Sequence, residues 1–474
     1  MSTVQQYEVI VIGAGPAGYV CAIRCAQLGF KVACIDKWVN ARGKPALGGT
    51  CLNVGCIPSK ALLDSTHHVH FLSEQAGRHG LKISGLEVDI PTMQKRKDKV
   101  VQTLTRGVAS LLKKNKVDVY AGTARFLGEQ RIHVEQLDGS SEELQGEHIV
   151  IASGSKPSAL PDIEVDNDQV LDSTGALNLQ EAPERLGIIG AGVIGLEMGS
   201  VWNRLGSEVI ILEALAEFLP TADRTVSKEA FKILGKQGLD IRMNCLVQEV
   251  QATSDKVAVS YSLNGAEQLL EVSKLVVAVG RIADTAELDL EAVGIKTNQK
   301  GFIEIDARWQ TSVENVYAIG DVVGGAMLAH KGSEEGMALA EQLAGQHAHI
   351  NYEAVPWVVY TWPEIAWVGR TEQQCKSDGI PCRTGEFPFR ALGRAHAMGD
   401  TGGLFKIVCE QGSDRILGAH ILGPSASELI CEAVVAMESE LCAEDLARMV
   451  HAHPSLSEGM HEAALAADRR AIHF

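Results

Sequence analysis

Tyr7-Glu8-Val9-Ile10-Val11-Ile12-Gly13-Ala14-Gly15-Pro16-Ala17-Gly18 is the stretch whose reading decides the fold. The apolar run Tyr7–Ile12 reads as a buried strand. Gly13, Gly15 and Gly18 follow it directly as a GxGxxG turn, and a helix of small and apolar residues extends from Tyr19 to about Leu28. Gly29 ends the helix, and a second strand, Lys31–Ile35, finishes at Asp36. Each part has a physical task. The glycines permit a tight turn, close approach of a pyrophosphate to the backbone, and close helix packing. The helix N-terminus attracts phosphate, and Asp36 accepts from ribose hydroxyls.

The arrangement recurs. Arg185–Ile189 leads into Gly190-Ala191-Gly192-Val193-Ile194-Gly195, a helix reaches about Leu205, and the strand Glu208–Leu212 ends at Glu213. In both copies the acid stands 18 residues after the third glycine. Two complete units imply two dinucleotides, most economically a flavin and a nicotinamide. Glu213 favours NAD over NADP, because a carboxylate bonds a free 2′-hydroxyl and repels a 2′-phosphate, and Ala214 and Leu215 bring no compensating cation.

Further strands run into glycine turns. His148–Ala152 enters Ser153-Gly154-Ser155, Leu275–Val279 enters Gly280-Arg281, and Val316–Ile319 enters Gly320-Asp321 before a helix from about Leu328. The first two read as crossovers, and Asp321 as a strand-end acceptor for a sugar or ribityl hydroxyl. The expected fold class is α/β, with two interleaved Rossmann-like dinucleotide-binding domains plus a C-terminal α+β domain. Residues 1–150 and 279–350 form the flavin domain, 151–278 the NAD domain inserted in it, and 351–474 the C-terminal domain.

Bulk properties agree. A chain of 474 residues suits about three domains, and 46% hydrophobic content suits an ordinary core. A net charge of −17 argues against nucleic acid or anionic lipid as partner and fits a protein that docks a basic surface. No apolar run approaches a membrane span. Met1–Gln6 has neither a basic nor an apolar leader region, so no signal peptide is read, and a cytoplasmic chain, or an organellar one after processing, is expected.

Gly48-Gly49-Thr50-Cys51-Leu52-Asn53-Val54-Gly55-Cys56-Ile57-Pro58-Ser59-Lys60 carries the chemistry. Two cysteines five positions apart can close a ring as a disulfide and reopen as thiols, which in a reducing compartment means redox catalysis. Half of a metal site and two buried thiols are the alternatives. The other nine cysteines are scattered and read mostly as small hydrophobes. Near the C-terminus, His453-Pro454 is followed by Glu458, a spacing that allows a His–carboxylate dyad acting as general acid–base. His67-His68-Val69-His70 reads as a helix surface rather than a metal site.

These motifs together resemble the flavin disulfide reductases, the class I pyridine nucleotide-disulfide oxidoreductases, over essentially the whole chain. The resemblance is strongest to the branch that oxidises dihydrolipoamide. Met327-Leu328-Ala329-His330-Lys331 and Val355-Pro356, with Thr361-Trp362-Pro363-Glu364-Ile365-Ala366, look like that branch too. The resemblance implies FAD, NAD and a homodimer whose C-terminal domains meet, each site combining the disulfide of one subunit with the histidine of the other. It implies partners in the lipoyl domains and peripheral-subunit-binding domain of 2-oxo acid dehydrogenase complexes, or in the glycine cleavage system.

By that match Cys51 exchanges with the dithiol, Cys56 faces the flavin, His453 is the base and Glu458 orients it. Gly13, Gly15, Gly18, Asp36, Lys37, Gly49, Thr50, Lys60, Ala124, Ser153, Gly154, Asp321 and Ala329 are expected at FAD. Gly190, Gly192, Val193, Ile194, Gly195, Glu197, Glu213, Val247, Gly280 and Arg281 are expected at NAD, with Glu197 also pairing Lys60. Three positions depart from the family pattern. Arg281-Ile282 lacks the usual proline, Ala124 replaces a frequent glycine, and Trp362 precedes Pro363.

Overall fold

The computed structural model describes residues 4–128 and 130–474. Met1–Thr3, part of the leader reading above, lie outside the described residues. The chain forms two compact units, each assembled from separate stretches.

The first unit comprises residues 4–61, Thr92–Ser158 and Gly280–Ile350. Its centre is the strand Gln5–Ile12, with Val32–Asp36 parallel on one side and Ser141–Ile151 parallel on the other. Asp118–Gly128 extends this sheet beyond Val32–Asp36, and Val316–Ala318 extends it beyond Ser141–Ile151. The near-continuous apolar reading of Tyr7–Ile12 follows from this central place, since such strands are buried on both faces. Asp118–Gly128 and Ser141–Ile151 are long enough to continue into an antiparallel meander with Arg131–Gln136.

Helix Pro16–Gln27 opens with proline in its first turn, where no intrahelical N–H is needed, and Gly29 leaves it at φ +101°. It packs against helix Ala329–Leu343 at backbone distance: a Cβ on Gly336 would meet the Ala17 carbonyl at 2.5 Å.

The second unit comprises Leu62–Pro91, Ala159–Val279 and Asn351–Phe474. Its parallel sheet runs Leu239–Arg242, Glu208–Leu212, Arg185–Ile189, Lys274–Val277, Val170–Leu171. An antiparallel three-stranded sheet, Cys245–Ala252 with Val257–Leu263 and Ala266–Val272, accompanies it. The C-terminal part is a five-stranded antiparallel sheet, in the order Trp357–Val359, Glu364–Gly369, Ile416–Gly423, Leu404–Glu410, Cys382–Pro388. Helices Ala426–Glu438, Ala443–Arg448 and Glu458–Ala467 build its core with Phe387, Phe389 and Phe405. Glu458–Ala467 lies so close to the edge strand that a Cβ on Gly385 would meet the Ala463 carbonyl at 2.0 Å.

Lys406 is completely buried within this unit. Its ammonium contacts Glu372 at 2.7 Å, Asp223 at 3.0 Å and Glu386 at 3.3 Å. A charge without water needs such pairing. The expected helix surface at His67–His70 is only partly one. His68 is exposed, whereas His67 is half-buried, its ring centre 4.1 Å from that of Trp362, because the small contact face of a helix entering a packed unit takes whatever ring it carries. Among the described residues no cluster of His, Cys, Asp and Glu has the makings of a metal site, and no helix is long and apolar enough to cross a membrane.

Candidate functional site

Both glycine loops have the same construction. Gly13 and Gly190 adopt φ of +104° and +105°, values that favour glycine, and Cβ atoms there would strike the carbonyls of Ala152 and Ala278 at 2.3 and 2.5 Å. Gly18 and Gly195 face the carbonyls of Gly13 and Gly190, where a Cβ would sit at 1.8 and 2.0 Å. The middle glycines differ. A Cβ on Gly15 would find nothing closer than 3.9 Å, and one on Gly192 nothing within 4 Å. Protein packing therefore demands glycine at the first and third positions, while the second is left bare toward open space. A pyrophosphate approaching the helix N-terminus needs that bareness. Val193 and Ile194 are the first residues of the second loop's helix.

The strand-end acids are fastened to these loops. Asp36 accepts from the Ala14 N–H at 2.5 Å and from Trp38 N–H at 2.8 Å. Glu213 accepts from the Ala191 N–H at 2.7 Å and from Leu215 N–H at 2.9 Å. Burial pushes the Asp36 carboxyl up, against the pull of those two N–H groups and Lys37. Lys37 itself is held by Glu287 and by Asp284 at 3.5 Å.

In the first unit Ser155 donates to Asp321 at 2.5 Å, and Arg281 donates to the Ser155 hydroxyl at 2.7 Å and carbonyl at 2.5 Å. Arg281 and Gly280, expected at the nicotinamide, thus lie in the unit of the first loop, with Arg281 linked to Asp321 through Ser155. Next to Gly154, the Ser153 hydroxyl is buried with no hydrogen-bond partner among the described residues, a vacancy in protein bonding that suits a bound polar group. Ala124 packs into the sheet's core, so its side chain is structural. Ala329 is the first residue of its helix. Val247 sits at an irregularity of its strand, and Glu197 is buried on helix Val193–Arg204, accepting from Tyr360 N–H at 3.1 Å.

The cysteines lie beside the first loop. Gly48 N–H donates to the Ala14 carbonyl at 2.9 Å, and a Cβ on Gly49 would meet the Gly15 Cα at 2.7 Å. Helix Gly49–Val54, carrying Thr50 and Cys51, therefore begins against the glycine loop. It breaks at Gly55, and Cys56 opens helix Cys56–His70. Gly55 lets the two segments close up, since a Cβ there would meet the Thr50 carbonyl at 2.9 Å. The result is a hydrogen-bonded pair of thiols. The Cys56 thiol and burial push the Cys51 thiol up, while the Cys56 N–H and the Lys60 ammonium favour its thiolate. A thiol pushed up in this way needs a base before it becomes a thiolate.

His453 follows Val450-His451-Ala452 and precedes a cis His453–Pro454 bond. Its Nδ1 lies 2.8 Å from Glu458 Oε1, and the ring is largely exposed. Glu458 Oε2 accepts from the Ser455 N–H at 2.8 Å. Burial works against the charge, but that N–H and the His453 ring hold the Glu458 carboxyl below its usual range. The dyad fixes Nδ1 and leaves Nε2 facing outward.

Sequence reading missed two supports. Glu335 is buried, accepts from Gly320 N–H at 2.7 Å and pairs with Lys331 at 3.1 Å, fastening the turn that bears Asp321. His451, two residues before His453, contacts Glu432 at 2.5 Å. Both residues of the first pair stand at helical i,i+4 spacing, the only hint the sequence offers.

Two dinucleotide loops, a thiol pair abutting one of them, and an imidazole–carboxylate dyad define a disulfide oxidoreductase served by dinucleotides. Comparison with known proteins gives the family. Residues 7–336 match the pyridine nucleotide-disulphide oxidoreductase model, and residues 355–464 match the dimerisation domain of the same family. The chain belongs to the pyridine nucleotide-disulphide oxidoreductases. It is 50% identical over 473 residues to the dihydrolipoyl dehydrogenase of Cupriavidus necator, covering 99% of this chain and 100% of that one. Against the mitochondrial dihydrolipoyl dehydrogenase of Pisum sativum it is 47% identical, covering 98% of this chain and 92% of the relative. Among solved structures, the HOCl-induced flavoprotein disulfide reductase RclA of Escherichia coli superposes with a TM-score of 0.85 at 32% identity, covering 97% and 99% of the two chains.

Proposed function

We infer that this chain is a dihydrolipoyl dehydrogenase, oxidising protein-bound dihydrolipoamide to lipoamide with FAD as cofactor and NAD+ as final acceptor. The observation that carries the reading is the seating of the Cys51–Cys56 pair directly on the Gly15 loop, through Gly48 and Gly49. Cys51, Cys56, His453 and Glu458 are the reacting and assisting groups.

FAD supplies the two-electron acceptor that passes the pair to NAD+. The first glycine loop, the bare face at Gly15, the unpartnered Ser153 hydroxyl and Asp321 fit that cofactor, and the second loop with Gly192 and Glu213 fits NAD. The protein's own residues handle sulfur and protons. With Cys51 and Cys56 as a disulfide, a substrate thiolate attacks Cys51 sulfur and Cys56 leaves as thiolate. The second substrate thiol, deprotonated by His453, displaces Cys51 and closes the lipoamide ring. Glu458 holds the imidazole and stabilises its protonated form. Overall, dithiol and NAD+ give disulfide, NADH and one proton.

The protein works as a homodimer in the cytoplasm, its dyad serving the disulfide of the other subunit. Lipoyl domains and the peripheral-subunit-binding domain of 2-oxo acid dehydrogenase complexes, or the glycine cleavage system, are its partners, and the net charge of −17 suits a basic docking surface. Anaerobic titration of the holoenzyme with dihydrolipoamide tests this. A long-wavelength thiolate-to-flavin absorbance band should appear and be followed by NADH on adding NAD+; a protein that oxidises NADH yet gives neither signal with dihydrolipoamide contradicts the assignment.

A further inference from the structure

Cys375 and Cys382 take no part in that reaction, yet the fold of the second unit packs both into one small apolar cluster. Cys375 lies in helix Glu372–Ser377, whose start is fixed by a Thr371/Gln374 capping box. The chain then turns, with the Ile380 N–H donating back to the Cys375 carbonyl at 2.8 Å, and the strand Cys382–Pro388 begins. Cys375 is completely buried beside Val408 and Leu417, and Cys382 packs against the same cluster from a partly exposed position.

One thiol is therefore reachable from water and the other waits behind it in apolar surroundings. The partly exposed Cys382 sulfur therefore meets an oxidant first and the buried Cys375 sulfur resolves the product; burial, with Cys382 adding to it, also pushes the Cys375 thiol up to about 11. The short turn and the fixed helix leave little entropy to lose on closing the ring.

We propose that Cys375 and Cys382 are a second, non-catalytic redox pair, closed to an intramolecular disulfide by hydroperoxides. The Cys382 thiolate attacks a peroxide oxygen and breaks the O–O bond, giving the Cys382 sulfenic acid and, after protonation, water. The Cys375 sulfur then attacks Cys382 sulfur, the S–O bond breaks, and a second water leaves with the Cys375 proton. Two thiols and one hydrogen peroxide give one disulfide and two waters, the sulfurs losing the two electrons that the peroxide gains. The new bond fastens the helix bearing Glu372 to the strand bearing Glu386, the two elements that flank buried Lys406.

The test treats the holoenzyme with hydrogen peroxide, alkylates remaining thiols and maps non-reduced tryptic peptides by mass spectrometry. Trypsin cuts after Lys376, so the bond joins two separate peptides. The cross-linked pair should become the major form of both cysteines, be reversed by dithiothreitol, and vanish in Cys382→Ser, whose dihydrolipoamide turnover before oxidation stays at the wild-type rate. Exposed Cys431 serves as the accessibility control. Sulfinic Cys382 beside an alkylated Cys375 overturns the proposal, and so do two fully alkylated thiols once Cys431 has been oxidised.

Discussion

Replacing Lys406 by methionine keeps most of the side-chain length and removes one buried charge. Its three carboxylates then fare differently. Glu372 and Glu386 have side chains 24% and 45% exposed and can turn to water, so each loses what a surface pair is worth, below about 1 kcal/mol. Asp223 is completely buried and cannot. Breaking a buried pair costs about 3–5 kcal/mol because a charge is left uncompensated. Asp223 keeps two backbone donors, Thr225 N–H at 2.9 Å and Glu372 N–H at 3.1 Å, which places Lys406→Met at the low end, about 3 kcal/mol. In Lys406→Met/Asp223→Asn the stranded charge is gone while an acceptor for Thr225 remains, so most of the loss should return, with a coupling of about 2 kcal/mol. Urea titration of the holoenzyme followed by tryptophan fluorescence reads both values, Trp367 lying in the same sheet as Lys406. A single variant costing under about 1 kcal/mol, or a double variant no better than the single one, refutes the stranded-charge reasoning.

Cys51→Ser and Cys56→Ser should each nearly abolish lipoamide turnover while the protein stays yellow, and substantial activity in either sinks the disulfide mechanism. His453→Gln should lower turnover by roughly 10²–10⁴, the usual general acid–base contribution, and a negligible loss in steady-state assays removes it as base. Gly192→Ala should fold as the wild type does and raise the KM for NAD+, because its Cβ meets no protein atom within 4 Å; Gly195→Ala, facing the Gly190 carbonyl at 2.0 Å, should instead lower thermal stability. Equal stability of the two variants contradicts that division. Burial lowers His420 from 6.5 to about 4, so the unfolded chain takes up this proton first. Stability should thus be lost as pH falls from about 6.5 to about 4, and denaturation midpoints of His420→Leu should show a shallower slope across that window; an unchanged slope excludes His420 as a source.

Much of the fold is legible locally because the dinucleotide units are written in consecutive residues. Arg185–Ile189 and Glu208–Leu212 are the strands expected, and helix Pro16–Gln27 starts only slightly before the expected Tyr19. The cysteine pair and the His453–Glu458 dyad are short-range too, and both contacts form. What sequence reading missed depends on residues far apart. Arg281 reaches Ser155, and Ser155 reaches Asp321, each across more than a hundred positions, the first because the strands Arg281–Ala283 and Ser155–Pro157 pair antiparallel. Lys406 finds Asp223 across a similar gap. A lysine in a strand of apolar residues carries no mark of its partners. Trp362 likewise gives no sign that His67 will lie against it.

The carboxylates at the strand ends have a consequence for how such a protein can change. Asp36 and Glu213 each hold the N–H of the alanine inside the neighbouring glycine loop. The residue proposed to read the coenzyme's sugar is thus also the clasp of the loop proposed to receive its phosphates. Taste and grip share one side chain. A lineage that exchanged Glu213 for a cation to accept a 2′-phosphate would unclasp its own loop in the same step. Conversion to the other coenzyme therefore takes at least two changes, and the second must supply a new acceptor for Ala191.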